Sequence, residues 1–408
     1  MIISDMRKII YGLFVVTMGI VLVSCQKDDT DMGDIIAQYQ VEPAEIALDF
    51  SALTEAPDVP VTDEADSAYN DYVENTAWNK VISIAFGGET PVVTGTVPGV
   101  VVQTSGNHVT IVNMSGPVKF VVSGKTTDGS LKFYGDKRFQ VMLNNAEITN
   151  PSGAAINNQG SKTMYLVLAD GSVNRLQDGP DYVMVEEEDQ KAALFSEGQI
   201  VFSGKGELSV VAQGRGGIRS DDYIRVRPGV KIYVNSVALD GLRANDGIII
   251  DGGVINVETT GAGAKGVRSG GVMAVNGGRL VAISHGDTRI ETVDGVADTS
   301  ACAALYCDTL VTVNAGTLKF MATGDGGKGL NAKHQVVVHG GSFQAVATGT
   351  KKLKKPRGVK IDGNFSIDGG YFYTYSRRSD PLEVDGTTTV APGYKTYDKG
   401  PKVLTISY

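Results

Sequence analysis

Three arginines, Arg219, Arg243 and Arg268, recur 24 and 25 residues apart along a chain of 408 residues. Two positions after the first two of them stand Asp221 and Asn245, each followed by an aspartate, Asp222 and Asp246. A guanidinium grips a carboxylate through paired hydrogen bonds, so a row of arginines suits a polyanion. The oxygens beside them are hard donors of the kind calcium collects, about six to eight at a time. Asp221, Asp222, Asn245 and Asp246 are therefore the expected Ca2+ site. The acidic cluster Asp178, Asp181, Glu186, Glu187, Glu188 and Asp189 offers similar donors. Further on, Tyr371, Tyr373 and Tyr375 alternate with Phe372 and Thr374. That alternation puts three rings on one side of a strand, as a flat stripe suited to stacking on sugar rings. Each pattern also has a plainer reading. The arginines and acids can pair into a surface ladder worth well under ~1 kcal/mol per pair, and a terminal cap can cover the tyrosines.

A repeat of about 24 residues spaces these side chains. Its copies open with Ala193-Leu194, Gly217-Ile218, Gly241-Leu242, Gly266-Val267, Ala304-Leu305, Gly329-Leu330 and Gly358-Val359, with Leu382 starting a weaker one. These anchors lie 24, 24, 25, 38, 25, 29 and 23 residues apart. A glycine landmark keeps step: Pro228-Gly229, Asp251-Gly-Gly253, Asn276-Gly-Gly278, Asn314-Ala-Gly316, His339-Gly-Gly341 and Asp368-Gly-Gly370. A fixed period of this length means one structural unit stacked many times.

Within a repeat the apolar residues alternate, as in Ile248/Ile250 before a landmark and Ile255/Val257 after it. A period of two means short strands with one buried face. Helical spacing is absent, which excludes the leucine-rich repeat with its helical segment. The pattern predicts an all-β fold, a single-stranded right-handed parallel β-helix (a β-solenoid), over 141–408. An N-terminal β cap and first rungs are expected over 69–140, and a loop without strand alternation across 284–300. The 51 glycines and 7% aromatic content fit sharp turns around a narrow aliphatic core. Equivalent positions of successive coils then stack about 4.8 Å apart. One outward column reads Phe195, Arg219, Arg243, Arg268, Tyr306, Asn331, Lys360, Glu383. Basic residues also recur at the preceding turn, at Lys265, Lys328 and Arg357, beside the insert Lys351-Lys-Leu-Lys-Lys355.

The net charge of −9 argues against nucleic acid as a partner. Arg7-Lys8, an apolar run from Ile9 to Val23 and Leu22-Val23-Ser24-Cys25 form a signal peptide over 1–24. Its ending resembles a bacterial lipobox, in which Cys25 becomes the lipidated first residue. Gln26-Lys27-Asp28-Asp29 resembles an export signal of Gram-negative surface lipoproteins. The expected address is the outer membrane, lipid-anchored and facing outward, with the membrane touched through the anchor only. Residues 25–68, rich in Asp, Glu, Pro and Ala, read as an acidic tether. Cys302 and Cys307 are either a small-loop disulfide or plain thiols.

Several stretches resemble the bacterial carbohydrate-binding domain family of right-handed β-helices. They include Val122-Ser-Gly-Lys-Thr-Thr-Asp-Gly-Ser-Leu131, Leu143-Asn-Asn-Ala-Glu-Ile-Thr-Asn150, Ala192-Ala-Leu-Phe-Ser-Glu-Gly198 and Asp240-Gly-Leu-Arg-Ala-Asn-Asp246. The resemblance covers roughly 70–408. It implies binding of plant-cell-wall or acidic polysaccharide, bound calcium and no established catalysis. The pair Asp221-Asp222 resembles the paired acids of β-helical pectin hydrolases, but the Gly-His-Gly and Arg-Ile-Lys motifs of those enzymes are missing. The function expected is a monomeric, surface-anchored polysaccharide-binding protein without catalytic residues. A calcium-dependent lyase or hydrolase and a structural adhesin are the alternatives.

Overall fold

The computed structural model describes residues 58–293, 295–398 and 402–408. Among them the helical content is two 3₁₀ turns, Tyr69–Asp71 and Val73–Asn75. Everything else that is regular is strand. The expected parallel β-helix is the fold, a solenoid of about 11 turns.

Each coil lays one strand on each of three faces. The face that carries the arginines stacks Ala192–Ser196, Gly216–Ser220, Leu242–Ala244, Lys265–Ser269, Ala303–Cys307, Lys328–Ala332, Arg357–Ile361 and Leu382–Val384, all parallel. The apolar anchors pair in the register read from the sequence: Leu194 on Ile218, then Leu242, Val267, Leu305, Leu330 and Val359. All of these are buried. The second face holds strands such as Tyr223–Val226 and Gly247–Ile250, and the third holds strands such as Lys231–Ser236 and Val254–Thr259. The long strand Phe139–Thr149 bends at Asn145 (φ 56°), so its first half belongs to the second face and its end to the third.

The glycine landmarks are the turns between the second and third faces. Gly278 has φ +76°, and a Cβ there would stand 2.5 Å from Gly253 O in the coil below. Backbone conformation and stacking distance both demand glycine, which is why the landmark repeats. Toward the C-terminal end the aliphatic core gives way to rings, with Phe320, Phe343 and Phe372 at centroid separations of 5.5 and 5.0 Å.

The long step between coils is not the loop expected over 284–300. Arg289–Val293 and Val296–Ser300 pair antiparallel as a β-hairpin. Ile290 and Val296 are exposed on it. A ribbon that packs neither face on the core needs no apolar alternation, so the pattern that reveals the other strands is missing here.

The tether expected over 25–68 lies mostly outside the described residues, as do Cys25 and the signal peptide. From Asp58 onward the chain lies along the second face. Arg227, buried, bonds Asp58 and Glu74 at 2.6 Å each, with its guanidinium 4.5 Å from the centre of the Tyr72 ring. Arg225 bonds Asp71 at 2.8 Å and Asp251 at 2.6 Å. Trp78 packs edge-on against Tyr165 at 5.5 Å and donates to Val73 O at 2.7 Å. Residues 58–78 thus form a strap held by ion pairs and rings.

Candidate functional site

The outward arginine column is real and in register: Arg219 pairs with Arg243, Arg243 with Arg268, and Arg268 with Tyr306. Strand alternation forces this direction, because Ile218, Leu242 and Val267 on one side of each arginine point into the core. The three like charges are compensated from two sides. Arg219 Nε donates to Asp221 Oδ1 at 3.1 Å. Asp240 lies 3.5 Å from Arg243 and 3.8 Å from Arg268. Arg268 also lies over the Tyr306 ring, 5.1 Å from its centre. Burial, then the charges of Arg268 and Arg219, hold the Arg243 guanidinium below its usual pKa.

The column floors a groove with two connected parts. A narrow part of about 100 Å³ is lined by Arg219, Arg243 and Arg268 on one side and Arg289 and Glu291 of the hairpin on the other. It continues past Lys265 and Ser300 into a cleft of about 540 Å³. The hairpin (Asp298 to Ser300) forms one wall of this cleft, and Lys354 and Lys355 of the basic insert form another. Lys265 and Lys328, from the turn column, lie at its floor and are buried. Burial lowers the pKa of both, that of Lys328 to about 8. At the far end the charges cancel. Lys360 binds Asp385 at 2.6 Å and Glu383 at 3.0 Å, and Lys333 binds Asp362 at 2.9 Å. Burial opposes the charge of Lys360, but its carboxylate bonds outweigh that and raise its pKa to about 12.

The expected calcium quartet is not assembled. Asp221 is bonded by Lys191 and Arg219, and the Asn245 amide donates to it at 3.1 Å. Asp222 instead accepts from Gln199 and from the Tyr223 backbone N–H. Burial first, then Asp246, push its carboxyl above the usual range. The carboxylates that do converge are Asp189, Glu197 and Asp221, with ligand oxygens within 4.8 Å of one another. Lys191 bridges Asp189 and Asp221. Asp189 and Asp221 are thus already paired with an ammonium and a guanidinium, so the donors do not fit a calcium ion. The acidic loop at 178–189 serves structure instead. Asp178 is buried and accepts from the Gln213 N–H at 2.5 Å and the Tyr182 hydroxyl at 2.8 Å, while Glu188 holds Lys132 at 2.5 Å.

The tyrosine stripe is also corrected. Tyr371 is 37% exposed, but Tyr373 and Tyr375 are buried. Their strand, Tyr371–Ser376, is not the end of the stack, because Val403–Ser407 returns antiparallel along its free edge. Phe195, at the head of the arginine column, is buried as well, with the Lys191 ammonium 5.3 Å from its ring centre. Cys302 and Cys307 are buried free thiols.

Sequence reading found the arginines and the turn lysines but missed the hairpin wall, the roles of Lys191 and Asp240, and the Arg225/Arg227 contacts with the strap. The signal for Asp240 was present. It is an acid in a turn column that reads Lys265 and Lys328 in later coils.

A model of the carbohydrate-binding domain-containing protein family matches residues 105–325, more than half of the chain. The chain belongs to that family. The resemblance read from its residues holds at that level. A carbohydrate-binding domain-containing protein of Acetivibrio thermocellus is 29% identical over 122 residues, which is 29% of this chain and 43% of the relative. The chain thus spans less than half the length of the curated relative it matches. A solved structure of a polysaccharide lyase-like protein from C. thermocellum aligns with a TM-score of 0.45 at 19% identity, covering 76% of this chain and 97% of that one.

Proposed function

We propose that this is a surface-anchored polysaccharide-binding protein whose groove takes an acidic, uronate-containing glycan of plant-cell-wall type. The observation that carries the reading is the cationic floor, with Arg219, Arg243, Arg268, Lys265 and Lys328 along one groove of an otherwise acidic chain. Successive coils rise about 4.8 Å, close to one sugar unit, so a chain lying in the groove meets a cation on the coils of Arg219, Arg243, Arg268 and Lys328, with the Ala303/Tyr306 coil between the last two. Partly exposed carboxylate–guanidinium pairs contribute about 0.5–1 kcal/mol each, so several together give weak but cumulative affinity. The lipobox at Cys25 would hold the protein to the outer membrane. Retention in a polygalacturonate affinity gel tests the reading. The variant Arg219→Ala/Arg243→Ala/Arg268→Ala should migrate freely with an unchanged melting curve. Unchanged retention moves the site elsewhere.

One observation favours a second reading, glycan cleavage. Glu197 and Asp189 bring carboxyl oxygens within 4.8 Å of each other, beside Arg219. Burial, then Asp221, raise the Glu197 carboxyl. Glycoside hydrolysis uses a pair of carboxyls, one of them with a raised pKa. Reducing-end and unsaturated-uronide assays on the same polymers would detect it.

A further inference from the structure

We propose that Lys265 and Lys328 form the anchoring subsite of the groove, taking one carboxylate of the glycan between them. This deepens the acidic-glycan reading and rests on it. Both lysines occupy the turn that opens their strands, and Ala303 is stacked between them in register. A single methyl there leaves room between the two long side chains. Lys265 is 5% exposed and Lys328 is 9% exposed, yet no carboxylate lies within ion-pair distance of either among the described residues. Lys265 Nζ donates to Gly263 O at 2.5 Å and Ser300 Oγ at 2.7 Å. Lys328 Nζ makes one long bond, to Gly326 O at 3.4 Å. Both side chains line the same cleft.

Lys265 also lies 5.8 Å from the Tyr306 ring centre, but a buried ammonium without a counter-charge is costly, and structures normally pair it. The acids whose charges reach the two lysines are committed elsewhere. Asp240 pairs with Arg243 and Arg268, Glu291 with Arg289 at 2.9 Å, and Glu383 with Arg357 and Lys360. Around Lys265 the field comes from Asp240, Arg268, Glu291 and Arg289. Around Lys328 it comes from Cys302, Lys354, Glu383 and Arg357. In both cases burial is the larger effect and disfavours the charged form. An incoming carboxylate supplies the missing counter-charge and favours the protonated amine. Binding therefore takes up protons when the free Lys328 is largely neutral. Affinity should fall as pH rises above about 8, tenfold per unit at the steepest.

Calorimetric titration of the full chain with trigalacturonate tests this. The wild type should bind at pH 7 and weaken by tenfold or more by pH 9.5. Lys328→Met should bind at least tenfold more weakly at pH 7 and lose the pH dependence. Lys328→Arg should bind without the pH dependence. The fully methyl-esterified trisaccharide should bind neither form. Equal titration of wild type, Lys265→Met and Lys328→Met, with a flat wild-type pH profile, overturns the subsite while the acidic-glycan reading stands. Failure of the wild type to bind trigalacturonate overturns that reading and the subsite with it. Lysine-dependent binding of a sulfated trisaccharide in place of the uronate overturns the carboxylate assignment.

Discussion

Lys265 Nζ donates to Ser300 Oγ at 2.7 Å, so the floor of the groove is tied to the base of the hairpin that walls it. The neighbouring Arg289 packs over Gly263, where a Cβ would meet its side chain at 2.8 Å. Hairpin and floor therefore act as one unit. Replacing 289–300 by a short glycine linker should leave the solenoid folded and weaken retention in polygalacturonate gels several-fold. Circular dichroism checks the first outcome and gel mobility the second.

The buried lysines should cost stability. Lowering the Lys328 pKa from 10.5 to about 8 means the folded protein holds fewer protons than the unfolded chain between those values. Stability then rises with pH across that window, and the cost is complete below it. Lys328→Met should stabilise the protein at pH 7 by up to about 3 kcal/mol, since each tenfold loss of proton affinity is worth roughly 1.4 kcal/mol. The gain should shrink as pH approaches 10. Urea unfolding at pH 7 and 10 measures both, and a destabilised variant would contradict the assignment.

Salt should release the glycan. The groove arginines are partly exposed, and the Debye length is about 8 Å at physiological ionic strength and about 3 Å at 1 M. Retention of polygalacturonate should drop steeply between those limits. Because Asp221 is already paired with Lys191 and Arg219, a chelator should leave retention unchanged at constant ionic strength. Loss of retention with EDTA would show that a metal takes part.

The two kinds of tyrosine should separate. Tyr375→Ala removes a ring that is 1% exposed and should destabilise by about 3–5 kcal/mol. Tyr371→Ala, on the surface of the same strand, should change stability by about 0.5 kcal/mol at most. Thermal melts of the pair distinguish a packed stripe from an open one.

Cys25 makes a cellular prediction. Cys25→Ala should release the protein from membranes, and the variant should not incorporate labelled fatty acid. Incorporation by the variant would place the lipid elsewhere.

The solenoid was legible because its determinants are local and repeated. Leu242, Val267 and Leu305 announce one inward column, and their outward neighbours Arg243, Arg268 and Tyr306 pair as that spacing requires. Long-range cover was not legible. Nothing in Tyr371-Phe-Tyr-Thr-Tyr375 says that Val403–Ser407 will return along that strand, nor in Arg225 and Arg227 that Asp71 and Glu74 will reach them from over 150 positions away. The calcium quartet failed for a related reason. A column of acids fixes which oxygens stack but not which lysine from another turn arrives to neutralise them.

The strap has a mechanical meaning. Asp58, Asp71 and Glu74 grip the strand Tyr223–Val226 and its next residue Arg227, near the middle of the second face rather than at either end. A pull on the chain preceding Asp58 is therefore delivered sideways, through several ion pairs loaded together, into coils supported on both sides. Terminal strands are spared from being unzipped one at a time.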